Sequence, residues 1–154
     1  MSTDALLIFG AGGHGRVVAD AARAAGVTGL LASDRNLVLC RGELLPGIPL
    51  HVPDAPSPAR VMAVHVAIGC NIARERESQA LGLKRLHTVC HPAASVSPFA
   101  QLGEGSFVAA QAVVAPDARL GLGVIVNHGA VVDHDCCIGD FAHIAPGAVL
   151  GGEV

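Results

Sequence analysis

The sequence of 154 residues predicts an α/β domain with a parallel sheet, followed by an all-β solenoid of short parallel strands. Three observations predict this fold class. Strand-like apolar runs alternate with helical segments in the first half, and the glycine-rich residues 10–15 follow the first of these runs. From Val96 to Leu150, an apolar residue stands at every sixth position.

The six-residue repeat predicts the solenoid, because neither the 3.6-residue period of a helix nor the alternation of a plain strand gives this spacing. Its apolar positions are Val96, Leu102, Val108, Val114, Leu120, Val126, Val132, Ile138, Ile144 and Leu150. The residue two before each is mostly small, and the residue after each is usually Gly, Ala, Asn or Asp. We expect the large residue to fill the coil interior, the small one to let the corner turn, and the following Gly or Asn to adopt the turn dihedrals.

The first half of the sequence predicts a parallel sheet with helical connections. Strands are predicted at residues 5–9, 29–33, 61–68 and 86–89, and helices at 16–25 and 72–81. Residues 35–60 are rich in Pro and Gly, which predicts an irregular segment with one short strand. Because a residue before proline is disfavoured in helix, His91-Pro92 divides the sequence into domains 1–90 and 91–154.

Gly10, Gly12 and Gly15 form a G-x-G-x-x-G pattern between a strand and a helix, and Asp34 follows about 20 residues later, as in dinucleotide-binding sites. Glycines allow close backbone approach, and the amides at a helix N-terminus attract a phosphate. The phosphate of a nucleotide or nucleotide sugar is favoured over NAD or FAD, because a complete dinucleotide site needs a second half. A purely structural turn is the remaining alternative.

Further polar residues accompany this pattern. His14 offers donors to a sugar or phosphate, and Asp34 can accept from a ribose hydroxyl or a base, although each could be a simple cap. Gly69 and Asn71 follow the third predicted strand, at the sheet edge where open parallel sheets bind ligands.

Histidines in the solenoid are the candidates for chemistry. His134 lies between Asp133 and Asp135, and a neighbouring carboxylate can orient an imidazole and stabilise its charged form, as a general base requires. His128 occupies the equivalent repeat position and, like His134, is expected to point outward, while His143 precedes the inward Ile144. Plain surface histidines and a zinc site between subunits are the alternatives.

Composition narrows the class of protein. The net charge of −3 argues against nucleic acid or an anionic membrane as the main partner. Five cysteines without CxxC spacing predict neither a disulfide framework nor a zinc knuckle. No secretory leader begins the sequence, and no apolar run approaches the roughly 20 residues that span a bilayer, so we expect a cytoplasmic protein.

Three segments together resemble the family of NeuD-like and PglD-like sugar acetyltransferases. These are the glycine loop 10–15, the strand end at 67–71, and the block from Val132 to Ile144 that contains His134 and His143. The resemblance implies a Rossmann-like domain followed by a left-handed parallel β-helix, assembled as a homotrimer with active sites between subunits. It also implies transfer of an acetyl group from acetyl-CoA, without a metal, to a nucleotide-linked amino sugar or to sialic acid.

The resemblance assigns roles to individual residues. It implies that His134 is the general base and that Asp135 is its acidic partner. The remaining roles fall into two groups. His143, the backbone amide of Gly152 and Asn127 would lie by the acetyl thioester, and Gly10, Gly12, Gly13, His14, Gly15, Asp34, Gly69 and Asn71 would bind the nucleotide sugar.

The length of the solenoid is the one departure from this family pattern. Such enzymes usually carry several more coils, so we expect this sequence to be truncated at its C-terminus. A nucleotide-sugar-binding and trimerisation module without catalysis is therefore the alternative function. N- and O-acetylation both need one base, and the sequence does not distinguish between them.

Overall fold

The structure is a computed structural model that describes residues 4–53 and 60–154. The first half contains strands β1 (Asp4–Phe9), β2 (Leu30–Ser33), β3 (Glu43–Leu45), β4 (Ile48–His51) and β5 (Arg60–Val66), and helices α1 (Gly13–Ala24) and α2 (Asn71–Leu81). Within the described residues, no helix has the length and apolar character to cross a bilayer.

The five strands form one sheet in the order β3-β4-β2-β1-β5. All pairs are parallel except β3 with β4, which are joined as an antiparallel hairpin through Pro46 and Gly47. The carboxyl ends of β1, β2 and β5 therefore meet at one edge. The glycine loop, Asp34 and Gly69 follow these three strands at that edge.

Four expectations for the first half need correction. The helix α1 begins at Gly13 rather than at residue 16, and the third predicted strand ends at Val66 rather than at residue 68. The segment 35–53 contains a hairpin, and residues 54–59 lie outside the described residues. The predicted strand 86–89 is wrong, because Leu86 makes a single bridge to Val64, whereas Val89–Cys90 pairs with the solenoid.

The second half is a prism with three parallel sheets. Its two-residue strands are β6 (Val89–Cys90), β7 (Ser95–Val96), β8 (Gln101–Leu102), β9 (Phe107–Val108), β10 (Val113–Val114), β11 (Arg119–Leu120), β12 (Ile125–Val126), β13 (Val131–Val132), β14 (Cys137–Ile138), β15 (His143–Ile144) and β16 (Val149–Leu150). The sheets are β6-β9-β12-β15, β7-β10-β13-β16 and β8-β11-β14. Because Val113 pairs with Val131, one coil takes 18 residues.

The corners of the prism correct one expectation about the turn residues. A left-handed backbone (φ from 55° to 73°) recurs three residues after an inward apolar residue, and not directly after it. These residues are Gly105, Gln111, Asp117, Gly123, Gly129, Asp135, Phe141, Gly147 and Glu153. Two of the glycines directly after the inward residues have another role, since a Cβ on Gly103 would overlap the backbone of Gly121 in the next coil and a Cβ on Gly121 would overlap Asp140.

The expected coil interior is confirmed. Val108, Val114, Val126 and Val132 are at most 1% exposed, together with the small residues two positions before them. One such position is Cys136, which is fully buried as an apolar filler. Stacked apolar side chains of this kind stabilise a solenoid coil by coil.

The two halves share one hydrophobic core. The outward residues of one prism face, Val89, Phe107 and Ile125, pack in the same buried cluster as Val18 of α1 and Ile8 of β1. The glycine loop and the coil that carries His143 are therefore held next to one another.

Candidate active site

His134 and Asp135 form a hydrogen-bonded pair at the corner between β13 and β14. Asp135 Oδ2 accepts a hydrogen bond from His134 Nδ1 at 2.8 Å, so Nδ1 carries a proton and Nε2 is left as the basic nitrogen. The two side chains are 54% and 56% exposed in the single chain. The left-handed backbone of Asp135 (φ 60°) supplies the local geometry, and Asp tolerates this conformation better than most residues.

The environment of His134 favours its charged form. The hydrogen bond to Asp135 raises the pKa of His134 above its ordinary value, and the negative charge of Asp133 acts in the same direction. Asp133 also accepts a hydrogen bond from the backbone amide of His134, which fixes the turn. A base of this kind is a stronger proton acceptor than a free histidine but must be neutral before it acts.

Gly152 lies directly over His134, one coil further along the solenoid. A Cβ at this position would overlap His134 Nε2, so only glycine leaves the basic nitrogen open. The position is fixed by the coil, since Glu153 donates its backbone amide to the carbonyl of His134 at 2.9 Å. The His134 ring and Gly152 therefore lie against one another at the same corner of the solenoid.

A second group of side chains lies at the joint between the two halves. Asn127 Nδ2 donates to His143 Nε2 at 3.0 Å, and the His143 ring also bonds the backbone of Gly69. Burial lowers the pKa of His143, as does the positive charge of Arg74, while the bond to Gly69 opposes both. His143 is therefore a neutral histidine near physiological pH.

Arg74 was not among the sequence-based candidates, because its helix looked like a charged, solvated surface. It is 1% exposed. Its guanidinium donates to Gly123 O (2.8 Å), Ile68 O (2.8 Å), Gly69 O (3.1 Å), Phe141 O (2.5 Å), Ala142 O (3.3 Å) and Asn71 Oδ1 (3.1 Å). No spacing within its helix, residues 71–81, marks Arg74 as an inward residue.

His14 lies in the first turn of α1 and faces the same joint. Its ring meets Phe107 edge-on at 5.4 Å between centroids, and its Nε2 is buried with no hydrogen-bond partner among the described residues. Burial lowers the pKa of His14 to about 4, with further contributions from His143 and Arg74. A neutral imidazole with one unpaired buried nitrogen can bind a polar ligand group at little further cost.

The glycine loop has the tight geometry that its sequence predicts. Gly10 has a φ of 128°, and a Cβ on it would lie 2.5 Å from the carbonyl oxygen of Ala67. A Cβ on Gly15 would overlap the carbonyl oxygen of Gly10. By contrast, Gly12 and Gly13 face open space, so the N-terminus of α1 is open to a ligand.

Asp34 and Asn71 complete this edge. Asp34 accepts hydrogen bonds from the amides of Ala11 and Asn36, both at 2.7 Å, and so ties the glycine loop to the end of β2. Asn71 is the exposed first residue of α2 and accepts from Arg74. Both side chains therefore have structural partners, and their contact with a ligand stays a prediction.

The site residues form two clusters in one chain. The first, named the base cluster, contains His134, Asp135 and Gly152 at the corner after β13 and β16. The second, named the joint cluster, contains His14, Gly69, Asn71, Asn127 and His143 at the edge of the N-terminal sheet and the face of β12 and β15. Among the described residues, no hydrogen bond or ion pair joins the two clusters.

Metal binding is the alternative that the sequence leaves open for the solenoid histidines. His128 is exposed and lines a cleft of about 250 Å³ with Arg16, Asp20 and His91. Across residues 4–53 and 60–154, no three His, Cys, Asp or Glu side chains are grouped so that they could hold a metal ion.

Comparison with known proteins gave a family and several solved structures. The family model described as PglD N-terminal domain matches residues 5–81. The acetyltransferase domain of PglB from Neisseria gonorrhoeae FA1090, in complex with acetyl coenzyme A, is 39% identical with a TM-score of 0.83, and the match covers 97% of this chain and 73% of that chain. Comparison with curated protein sequences gave no significant match.

Two further structures extend this picture. A variant of GDP-perosamine N-acetyl transferase from Caulobacter crescentus, in complex with CoA and GDP-perosamine, is 31% identical with a TM-score of 0.84, covering 96% of this chain and 71% of that one. WeeI from Acinetobacter baumannii AYE is 24% identical with a TM-score of 0.80, and the match covers 99% of this chain and 74% of that chain. At this identity it supports the fold alone. The predicted fold class, a Rossmann-like domain followed by a left-handed parallel β-helix, is confirmed.

Proposed function

The chain belongs to the PglD-like family of sugar acetyltransferases, and from this premise we propose that it acetylates a nucleotide-linked amino sugar with acetyl-CoA, using His134 as general base. The observation that carries the proposal is the His134–Asp135 pair, whose basic Nε2 borders Gly152. The matched enzymes bind acetyl-CoA or CoA and, in one case, GDP-perosamine, which favours an amine over a hydroxyl or sialic acid acceptor. We expect the reaction in the cytoplasm, where acetyl-CoA and nucleotide sugars are available.

In the proposed mechanism, His134 Nε2 removes a proton from the attacking amine while Nδ1 keeps its hydrogen bond to Asp135. When bound, acetyl-CoA supplies an acyl carbon activated as a thioester. The new C–N bond forms before the C–S bond breaks, and His134 returns its proton to the departing sulfur. The step needs one base of near-neutral pKa, and neither a metal nor a covalent enzyme intermediate.

Negative charge develops on the thioester oxygen during this step and needs nearby donors. We assign that role to the backbone amide of Gly152, a residue whose Cα faces the His134 ring. His143 and Asn127 line the opposite side of the proposed cleft. Their mutual hydrogen bond holds the neutral His143 ring in one orientation.

The nucleotide sugar is proposed to bind at the carboxyl edge of the N-terminal sheet. Gly12 and Gly13 leave the α1 amides open to a phosphate, and Gly10 and Gly15 permit the tight loop. His14, with its unpaired buried Nε2, is aimed at the same joint and suits a sugar or phosphate oxygen. The acceptor panel described below tests whether the nucleotide of the substrate is UDP, GDP or CMP.

A complete site is proposed to form between subunits of a homotrimer. The base cluster and the joint cluster lie on different corners of one chain, so a neighbouring copy must bring them together. The outward residues of the sheet β7-β10-β13-β16 include Val113, Val131 and Val149, the last of which is 70% exposed. An apolar sheet face of this kind is typical of a subunit contact.

The test is release of CoA from acetyl-CoA with a panel of nucleotide amino sugars and sialic acids, run beside the His134→Ala variant. We expect release that depends on one acceptor class, and a fall in turnover of about 10²–10⁴-fold in the variant, the usual value for a general base. Nucleotide binding should be unchanged, because His134 lies outside the joint cluster.

The control is His128→Ala, which removes an exposed histidine from the equivalent repeat position. Turnover in His134→Ala at the wild-type level would remove His134 from the mechanism. No CoA release from folded, trimeric wild-type protein would favour the alternative, a nucleotide-sugar-binding module.

A further inference from the structure

Arg74 is a buried cation at the joint between the N-terminal sheet and the solenoid. Among the described residues, its hydrogen-bond acceptors are five backbone carbonyls and one side-chain amide. Burial lowers its pKa to about 10, so it stays charged near neutral pH. Burying a charge without a carboxylate partner is costly, and a protein that needed only packing here could use an apolar side chain.

The acceptors belong to two parts of the molecule that the proposed function must align. Ile68, Gly69 and Asn71 belong to the sheet edge where the nucleotide sugar is proposed to bind.

The other three acceptors lie in the solenoid. They are Gly123, Phe141 and Ala142, and Ala142 directly precedes His143. A guanidinium presents five N–H donors in one plane, so it holds these six oxygens in a defined mutual arrangement.

We propose that Arg74 is a positioning residue for the proposed acetyl transfer, which holds the nucleotide-sugar edge of the N-terminal sheet in register with the coil that carries His143. The inference rests on the proposed function. It assigns to Arg74 no contact with either substrate. Its effect on the reaction comes through Gly69, Asn71 and His143.

Alignment at this joint matters because acyl transfer requires the acceptor nitrogen close to the acyl carbon. A displacement of about 1 Å remote from the chemistry can cost about 100-fold in rate. The sugar is held by one half of the chain and His143 by the other. A loose joint therefore affects turnover more than the affinity for either substrate.

The principal variant is Arg74→Lys, which keeps the positive charge but replaces five donors in a plane by one ammonium group. The full chain is assayed for kcat, for KM of both substrates, and for Tm. We expect kcat to fall by about 10–100-fold, while KM for acetyl-CoA changes by less than about threefold. The matched control is Arg76→Lys on the same helix, whose exposed side chain binds Glu77, and it should behave as wild type.

A purely structural role predicts a different result. Arg74→Lys would then lower Tm but keep kcat per folded trimer at temperatures well below that Tm, and this outcome would overturn the proposal. Arg74→Met adds a second readout. Because the charge of Arg74 lowers the pKa of His143, that pKa, followed by NMR, should rise in Arg74→Met and stay near the wild-type value in Arg74→Lys.

Hydrogen exchange separates this inference from the proposed function. In Arg74→Lys, the amides of segments 67–71 and 140–144 should both exchange faster, and a change in only one segment, or in neither, would contradict the bridging role. This readout does not depend on catalysis. If wild-type protein releases no CoA, the proposed function fails while the exchange result still decides whether Arg74 joins the two segments.

Discussion

At the scale of single residues, the His134–Asp135 pair determines the expected response to pH. The carboxylate raises the pKa of His134, and only the neutral imidazole accepts a proton. Activity should therefore fall as the pH drops through that raised pKa. In Asp135→Asn, the pKa of His134 moves down, so the acidic limb of kcat/KM should shift to lower pH. The maximal rate should also fall, because the amide orients the ring less well.

Asp117→Asn is the matched control for this profile. Asp117 occupies the same left-handed corner position one coil earlier, but it follows a proline instead of a histidine. Its pH profile should coincide with that of the wild type. An acidic limb that does not move in Asp135→Asn would show that the rate does not report on His134.

At the scale of elements, the glycines at the start of α1 differ in the space around them, so alanine substitutions should have opposite effects on stability. Gly15→Ala should lower the free energy of unfolding by about 1–3 kcal/mol, because the new methyl group overlaps the Gly10 carbonyl. Gly13→Ala faces open space in the same helix turn and should raise stability by up to about 1 kcal/mol. Urea unfolding measures both.

The comparison of the two glycines tests the loop geometry directly. Equal midpoints for Gly15→Ala and wild type would mean that α1 can move away from β1 without cost. A loss of stability in Gly13→Ala would mean that its position is less open than the structure shows.

Elements also differ in how well the sequence predicts them. The coil interior was predicted residue by residue, because each inward position repeats the same local packing ten times. The hairpin β3–β4 was missed, although Pro46-Gly47 between apolar residues is a turn signal. The start of α1 was placed three residues late because glycines are poor helix formers, although Gly15 is required there by its close contact with the Gly10 carbonyl.

At the scale of the whole molecule, assembly should depend on the apolar face of the sheet β7-β10-β13-β16. Val131→Lys places a charge at the centre of this face and should give monomers in sedimentation experiments, with loss of CoA release. Cys137→Lys places the same charge on the exposed β14 strand of another face and should leave the trimer intact. If Val131→Lys remains trimeric, the subunit contact lies on another surface.

The whole molecule also shows why the site could be predicted only in part. His134 and Asp135 are neighbours in sequence, so their hydrogen bond was foreseeable. Gly152 is one coil from His134, and its place over Nε2 follows from the 18-residue period. Arg74, by contrast, binds Gly123, Phe141 and Ala142, which are 49 to 68 residues away, and no local pattern in its helix indicates that contact.

The sequence by itself determined the order of the two folds, the period and interior of the coil, and the pairing of His134 with its neighbouring carboxylate, because all of these depend on short-range spacing. The tertiary structure alone decided how the halves meet. The shared core of Val18, Phe107 and Ile125, the unpaired Nε2 of His14 and the bonds of Arg74 arise where distant segments pack. Burial and the pairing of a charge are properties of that three-dimensional environment, and sequence spacing does not encode them.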